Sequence, residues 1–242
     1  SNPAPQAVND AASTNEDTPV SGNVLGGTGA GAGDNADSDP DGDTLSVTTF
    51  VLAGDVTVHA AGDTATITGV GQLTLNADGS YTFTPAQDWN GTVPAVTYTV
   101  SDGEGGTDTA ELVITVEAVN DTPVAQGSLA DQSDEDAQTG VSVPTAVGFD
   151  DIDGDNLSYS ATGLPPGLSI DAATGLITGT IDNSASQGGV GGVYTVVVTA
   201  QDPAADPPAV GAAGLRQRTQ ARRRRRPHRR GGGRMGRRLL RA

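Results

Sequence analysis

Aspartates recur at close spacing in two short stretches of the chain. Five lie within ten residues of the first stretch, and four lie within six residues of the second. Side chains at alternate positions of an extended loop point the same way, so several carboxylates converge on one region. Ca²⁺ takes six to eight oxygen ligands at irregular angles. We therefore expect Ca²⁺ at both stretches, which contain Asp34, Asp37, Asp39, Asp41 and Asp43, and Asp150, Asp151, Asp153 and Asp155.

The distribution of charge makes a cation from outside the chain more necessary. The 242 residues carry 13 basic and 30 acidic side chains, for a formal charge of −17. Every basic residue is an arginine between Arg216 and Arg241, so residues 1–215 contain no lysine or arginine. That part of the chain has no ammonium or guanidinium for ion pairs, Schiff-base chemistry or phosphate binding. Cysteine is absent, which excludes disulfides, thiolate metal sites and thiol nucleophiles.

The elements that position these aspartates read as β-strands. Apolar residues alternate with polar ones in segments 81–84, 96–101 and 110–117, and valine and threonine are abundant. The segment 76–79 is typical of a hairpin turn. We predict an all-β chain with one face of each sheet buried. No apolar run approaches the ~20 residues that span a bilayer, and no signal peptide opens the sequence.

The acidic part of the chain repeats itself loosely. Segment 39–46 returns as 151–158, at an offset of 112, and segment 7–10 returns as 118–121. A unit of about 110 residues has the size of one immunoglobulin-like sandwich. We predict two tandem β-sandwiches, at 3–119 and 120–207, joined by a short linker at 118–123.

The arginine-rich C-terminus departs from this composition. We expect residues 208–242 to form a disordered tail, which leaves the second sandwich without its last strand. Because GC-rich aspartate codons read out of frame encode arginine, the tail is open to interpretation as a frameshift product. Translation of the gene's other two reading frames tests this idea. If neither frame encodes an Asp/Val/Thr-rich β pattern, the idea is wrong. A nucleic-acid-binding tail is the alternative, which we do not favour.

Three interpretations of the acidic stretches compete with calcium binding, and each is weaker. Solvated loop acids with Asx-turn hydrogen bonds would suffice for one isolated Asp-Gly-Asp, but not for two stretches at matching positions. The first half of an EF-hand loop fits 37–42, yet the twelfth position is Thr48 rather than glutamate. Adaptation to salt is disfavoured because the acids cluster in loops rather than spreading over surfaces.

Catalysis has little support in the sequence. The two histidines are His59, on a predicted strand, and His228, in the tail. They form no Ser-His-Asp pattern or zinc-binding spacing. Trp89 could stack on a sugar, although packing at a turn is the simpler interpretation. We therefore expect a non-enzymatic protein.

Longer strings resemble known modules. The segments 81–85, 89–92 and 97–106, with 9–19 and 39–43, resemble the cadherin-like VCBS-type repeats of bacterial surface adhesins. The segments 153–159, 163–171, 174–180 and 198–202 resemble dystroglycan-type cadherin-like, Ig-like modules. This resemblance implies tandem immunoglobulin-like sandwiches with Ca²⁺ near the module junctions. By position, the implied ligands are Glu16, Asp39, Asp41, Asp43 and Asp102 in the first unit, Asn120 and Asp121 in the linker, and Glu135, Asp151, Asp153, Asp155 and Asp202 in the second.

The resemblance also implies function. It predicts an extracellular or cell-surface location, with a role in adhesion or as a calcium-stiffened spacer. The expected partners are calcium, neighbouring modules of the same polypeptide, and unidentified surface proteins or glycans, with no nucleic acid. The alternative is an accessory module of a secreted hydrolase, either carbohydrate-binding or a spacer.

Overall fold

The computed structural model describes residues 2–26, 28–29, 34–202 and 209–221. The chain divides into two compact units, Ser1–Asn120 and Asp121–Ala242. Each unit consists of strands joined by turns, and the second also contains two single-turn 3₁₀ helices. The prediction of an all-β chain with two tandem sandwiches is confirmed. None of the helices in the described part of the chain has the length and apolarity needed to cross a bilayer.

The first unit is a sandwich of two sheets. One sheet has the strand order β1-β11-β10-β4-β5, with β9 also paired to β11, and the other has the order β3-β2-β8-β7-β6. β1 and β11 run parallel, whereas the other pairs are antiparallel. The strands are β1 (Asp10–Asn15), β2 (Val20–Asn23), β3 (Thr28–Gly29), β4 (Ser46–Leu52), β5 (His59–Ala60), β6 (Thr64–Ile67), β7 (Gly71–Leu75), β8 (Ser80–Pro85), β9 (Gly91–Thr92), β10 (Val96–Ser101) and β11 (Thr107–Glu117).

The core of this unit follows from the period-two alternation of its sequence. Leu112 and Ile114 of β11 are fully buried, as are Tyr98 of β10 and Phe83 of β8. The residues between them on each strand face outward, because successive side chains of a strand point to opposite faces. The apolar faces of the two sheets therefore pack together and hold the intervening loops at the ends of the sandwich.

The second unit is also built from packed β-sheets. Its main sheet has the order β13-β20-β19-β16, beside a β14-β18-β17 sheet and a β12-β15 pair. The strands are β12 (Val124–Ala125), β13 (Gln132–Glu135), β14 (Val141–Pro144), β15 (Phe149–Asp150), β16 (Ser158–Thr162), β17 (Leu168–Ile170), β18 (Leu176–Gly179), β19 (Val193–Asp202) and β20 (Ala209–Gln220), and the 3₁₀ helices are Ala146–Gly148 and Ala185–Gln187.

The second sandwich has its last strand, so the prediction that it lacks one is wrong. β20 pairs antiparallel with β19 over residues 209–218 and parallel with β13 over residues 217–220. Leu215, Gln217 and Thr219 are buried, whereas Arg216 and Arg218 between them are exposed. This alternation suits a strand with one face on the core, and long arginine side chains are tolerated on the other face. The predicted disorder is therefore wrong for residues 209–220, while residues 222–242 lie outside the described residues.

One buried and two half-buried carboxylates hydrogen-bond to the N-terminal part of the first unit. Asp37 accepts a hydrogen bond from the backbone N–H of Val8 at 2.8 Å, and Asp108 accepts one from Ala7 at 2.9 Å. Asp10 accepts a hydrogen bond from the Tyr98 hydroxyl at 2.7 Å. Burial, reinforced by the nearby charges of Asp10 and Asp108, raises the pKa of Asp37 to about 6, although its bond from Val8 opposes the shift.

The β20 pairing predicts a difference between neighbouring substitutions. Leu215→Ala removes a buried side chain and should lower the free energy of unfolding of the second unit by about 2–4 kcal/mol. Arg216→Ala on the exposed face of the same strand should change it by less than about 0.5 kcal/mol. Denaturant unfolding of the two variants measures this difference. Equally small effects would show that residues 209–220 do not pack on the core.

The raised pKa of Asp37 predicts a pH dependence in metal-free protein. A carboxyl group whose pKa rises on folding stabilises the folded state below its unfolded pKa, and this contribution is lost as the pH rises through the folded pKa. With chelator present, raising the pH from about 4 to about 7 should therefore destabilise the wild type more than Asp37→Asn. Asparagine keeps an acceptor for the Val8 N–H. If the melting temperatures of the two proteins change equally with pH across this range, Asp37 does not have a raised pKa in the folded protein.

Candidate metal centres

The aspartate-rich loop of the first unit folds around Asp39. The Asp39 Oδ1 atom accepts hydrogen bonds from the backbone N–H groups of Asp41 at 2.8 Å and Asp43 at 3.2 Å. The Gly42 N–H donates to the Asp39 carbonyl at 3.1 Å, and Gly42 has φ of 81°, a conformation that favours glycine. The Asp39 Oδ2 atom is buried and has no hydrogen-bond partner among the described residues.

The corresponding loop of the second unit has the same construction. Asp151 Oδ1 accepts a hydrogen bond from the Asp155 N–H at 3.3 Å, and the Gly154 N–H donates to the Asp151 carbonyl at 3.2 Å. Gly154 has φ of 75°, close to that of Gly42. The Asp151 Oδ2 atom is again buried without a hydrogen-bond partner in the described part of the chain. The sequence repeat at an offset of 112 is therefore also a repeat of backbone structure.

A further aspartate reaches each loop from the end of a strand. Asp102 follows β10, whose last residue, Ser101, pairs with the first residue of β4, Ser46. Asp202 ends β19, where the preceding residue pairs with Ser158 at the start of β16. Asp102 and Asp202 are both buried. Because β4 and β16 begin just after the two loops, the sheet register brings these carboxylates beside the aspartates of the loops.

The charges within each cluster oppose one another. Partial desolvation, with repulsion from Asp39, Glu104 and Asp102, raises the pKa of Asp43. Partial desolvation, with repulsion from Asp202, Asp151 and Asp153, likewise raises the pKa of Asp155. Carboxylate oxygens of Asp151, Asp153 and Asp155 all lie within 4.8 Å of one another.

The donor set of these clusters fits a hard divalent cation. All the side-chain donors are carboxylate oxygens, which are the ligands that Ca²⁺ prefers. The buried Oδ2 atoms of Asp39 and Asp151 are acceptors that none of the described residues satisfies, and such atoms commonly bind an ordered water or an ion.

Asp102 differs from the loop aspartates because the chain already satisfies part of its charge. Burial opposes ionisation, but hydrogen bonds from the Glu104 N–H, the Asn2 amide and the Gly106 N–H outweigh it and lower the pKa of Asp102. Glu104, which the sequence did not suggest, lies in the turn after Asp102 and adds another negative charge near Asp43. Its place in a Gly-rich turn directly after the predicted ligand was the available signal.

Glu16 lies at the other end of the first unit. It is 5% exposed and accepts hydrogen bonds from the Val119 N–H, in the segment leading to the linker, and from the Asn90 amide at 3.4 Å. Asn90, in the loop before β9, was not predicted. Asn120 is the exposed last residue of the first unit. In the second unit, the Asp121 N–H donates to Asp153 Oδ2 at 2.6 Å.

The predicted ligand Glu135 does not occupy the position in the second unit that corresponds to Glu16. It is exposed at the end of β13, opposite Gln220. Its neighbour Asp136 occupies the place that corresponds to Glu16, because the N–H of Asp136 donates to the Gln220 carbonyl as that of Glu16 donates to Glu117. Asp136 is also buried. The register of β13 against β20 therefore places Asp136, rather than Glu135, at the position equivalent to Glu16.

The residues considered for catalysis or sugar binding have structural surroundings. The His59 ring stacks on Phe50 with ring centres 5.0 Å apart. Trp89 is half-buried and packs against the core of the first unit. His228 lies outside the described residues.

Comparison with known proteins identifies both units. The family described as "Bacterial cadherin-like domain" matches residues 2–118, and the family described as "Putative Ig domain" matches residues 122–209. No curated protein sequence matches the chain.

Solved cadherin structures share the fold. Human mucin-like protocadherin EC1-2 is 14% identical with a TM-score of 0.53, over 90% of this chain and 98% of that chain. Human protocadherin-24 EC1-2, in its form II crystal, is 20% identical with a TM-score of 0.56, over 91% of this chain and 100% of that chain. Mouse cadherin-23 EC22-24 is 19% identical with a TM-score of 0.57, over 91% of this chain and 65% of that chain. Residues 2–118 thus match the bacterial cadherin-like domain and residues 122–209 match the putative Ig domain, in the order that the sequence predicted.

Proposed function

We propose that this chain is a calcium-binding pair of adhesion repeats from a bacterial surface or secreted protein. One observation carries the proposal. Two loops, 112 residues apart, fold in the same way around Asp39 and Asp151. The Oδ2 atom of each of these aspartates is buried without a hydrogen-bond partner among the described residues. They do so in a stretch of chain that contains no lysine or arginine.

The chemistry of the loops favours Ca²⁺ over a smaller divalent cation. Ca²⁺ accepts irregular sets of six to eight oxygen ligands, whereas Mg²⁺ requires near-octahedral geometry and keeps several waters. Asp39, Asp41 and Asp43, with Asp102 beside them, would hold the ion in the first unit. Asp151, Asp153 and Asp155, with Asp202, would hold it in the second. Bound calcium would supply the positive charge that offsets carboxylate repulsion in each loop.

Calcium would then act on stability because only the folded chain assembles these ligands. A ligand that binds only the folded state stabilises it by RT ln(1 + [L]/Kd), about 2.7 kcal/mol at a hundredfold excess over Kd. Extracellular calcium modules have Kd values of roughly 10⁻⁴–10⁻³ M. Calcium would thus stabilise the folded state outside the cell, where calcium is abundant.

We also propose that calcium stiffens the linker at 118–123. In the first unit Glu16 holds the Val119 N–H, and in the second Asp153 holds the Asp121 N–H, so carboxylates proposed as ligands already contact the linker backbone. Their immobilisation by calcium would restrict it. Small-angle scattering should therefore show a narrower range of shapes with calcium than with chelator, and identical curves would remove this part of the proposal.

The proposed role is mechanical: a spacer or adhesive surface acting outside the cell. The partners would be neighbouring modules and unidentified surface proteins or glycans. A carbohydrate-binding role through Trp89 is less favoured, because this side chain packs against the core rather than lying open for stacking.

Calcium removal should lower the melting temperature. With about 10 mM calcium and a Kd of roughly 10⁻⁴–10⁻³ M, binding contributes about 1.4–2.7 kcal/mol to the stability of the folded wild type. For a unit of about 120 residues, this should raise the melting temperature by roughly 4–16 °C above its value in excess chelator. Asp41→Asn and Asp153→Asn should each reduce this calcium-dependent increase. Differential scanning calorimetry measures it.

Asp171→Asn is the matched control. It removes one charge from a loop of the second unit where the carboxylate accepts hydrogen bonds from Thr174. This variant should lower stability with and without calcium alike. The proposal is wrong if calcium does not change the melting temperature of the wild type. It is also wrong if Asp41→Asn and Asp153→Asn keep the full calcium-dependent increase, as Asp171→Asn should.

A further inference from the structure

The two units carry equivalent buried carboxylates at one end, and these carboxylates have different surroundings. Glu16 follows β1 and its N–H donates to the Glu117 carbonyl at 2.9 Å, while Asp136 follows β13 and its N–H donates to the Gln220 carbonyl at 2.8 Å. Both preceding strands run parallel to the last strand of their unit. The two carboxylates therefore occupy the same place in the fold, 5% and 6% exposed respectively.

Glu16 is bound loosely by its own chain. One of its oxygens accepts a hydrogen bond from the Val119 N–H. Among the described residues, the other has only a long contact of 3.4 Å from the Asn90 amide. Each carboxylate oxygen can accept two hydrogen bonds or a bond to a metal. Glu16 therefore keeps acceptor capacity for an ion.

Asp136 is bound tightly by its own chain. Its Oδ1 atom accepts the Ser186 N–H at 2.8 Å, and its Oδ2 atom accepts the Ser186 hydroxyl at 2.6 Å. Hydrogen bonds to an ionised group are short and about twice as strong as those between neutral groups. The aspartate is also one methylene shorter than glutamate, which keeps its carboxylate against the 3₁₀ helix Ala185–Gln187.

The surrounding structure holds this 3₁₀ helix in place. The Tyr194 hydroxyl of β19 donates to the Ala185 carbonyl at 2.8 Å, and the Ala185 side chain is buried. The adjacent acid, Asp182, is also occupied, since it accepts bonds from the Ser184 N–H at 3.2 Å and the Ser184 hydroxyl at 3.3 Å. Asp136 and Asp182 are thus each hydrogen-bonded by a serine.

We propose that Asp136 and Ser186 form a metal-independent lock at this end of the second unit, where its counterpart Glu16 serves as a calcium ligand in the first. The inference rests on the proposed function for the role of Glu16. A calcium ion at Asp136 would have to compete with two charge-assisted hydrogen bonds that hold the carboxylate against a packed 3₁₀ helix. Calcium therefore acts on the second unit only through its Asp151–Asp155 loop, and the chain responds to calcium asymmetrically.

Three substitutions in the full chain test the lock. Asp136→Asn and Ser186→Ala should lower the melting temperature by the same amount with calcium and with chelator, leaving the calcium-dependent increase unchanged. Glu16→Gln should reduce the calcium-dependent increase and weaken calcium binding several-fold. Ser186→Ala keeps the experiment informative if Asp136→Asn fails to fold.

Amide hydrogen exchange gives a local measure. Wild-type amides in segments 132–136 and 185–188 should be equally protected in calcium and in chelator, and Ser186→Ala should expose them in both. Calcium-dependent protection of these segments, or loss of the calcium response in Asp136→Asn, would overturn the lock.

The two proposals fail in different ways. If the wild type shows no calcium response, the proposed function fails, while the destabilisation by Asp136→Asn and Ser186→Ala in chelator still measures the lock. If the wild type responds and Asp136→Asn removes as much of the response as Glu16→Gln does, the lock alone fails.

Discussion

Repulsion among carboxylates that have no basic partner is the constraint on which the rest of this protein depends. Thirty acids precede the first arginine at residue 216, so ion pairing within that stretch is not available. The chain satisfies many of its acids with backbone N–H groups and hydroxyls. Asp78 accepts from Ser80 and Asp171 accepts from Thr174, and the pKa of each carboxyl is lowered chiefly by those bonds. Hydrogen bonds within the chain therefore stabilise several of these carboxylates without a cation.

Local hydrogen bonds leave the central aspartates of the two loops incompletely satisfied. Asp39 and Asp151 each direct one oxygen to backbone N–H groups and bury the other without a partner in the described part of the chain. Neighbouring carboxylates raise the pKa of Asp43 and Asp155, after the larger effect of desolvation. A cation bound at each of the two loops would bind the unsatisfied acceptors and also reduce the repulsion between the carboxylates.

Much of the fold could be predicted from sequence because strand faces follow a simple period. The alternation at Ala110, Leu112, Ile114 and Val116 corresponds to four buried side chains of β11. β20 was missed because its arginines dominated the composition and obscured the same alternation at Leu215, Gln217 and Thr219. The choice between Glu135 and Asp136 depends on pairing with a strand some 85 residues away, which no local pattern reveals. Asn90 and Glu104 enter the candidate sites through loop conformation, which the sequence does not fix.

The two units share the aspartate-rich loop at one end and differ at the other end, where Glu16 and Asp136 have different surroundings. Calcium titration calorimetry on the full chain tests the central claim most directly, with magnesium as the comparison ion. The account predicts saturable calcium binding in the range of about 10⁻⁴–10⁻³ M or tighter, and much weaker binding of magnesium. Absence of saturable heat with calcium, or equal binding of both ions, would contradict it.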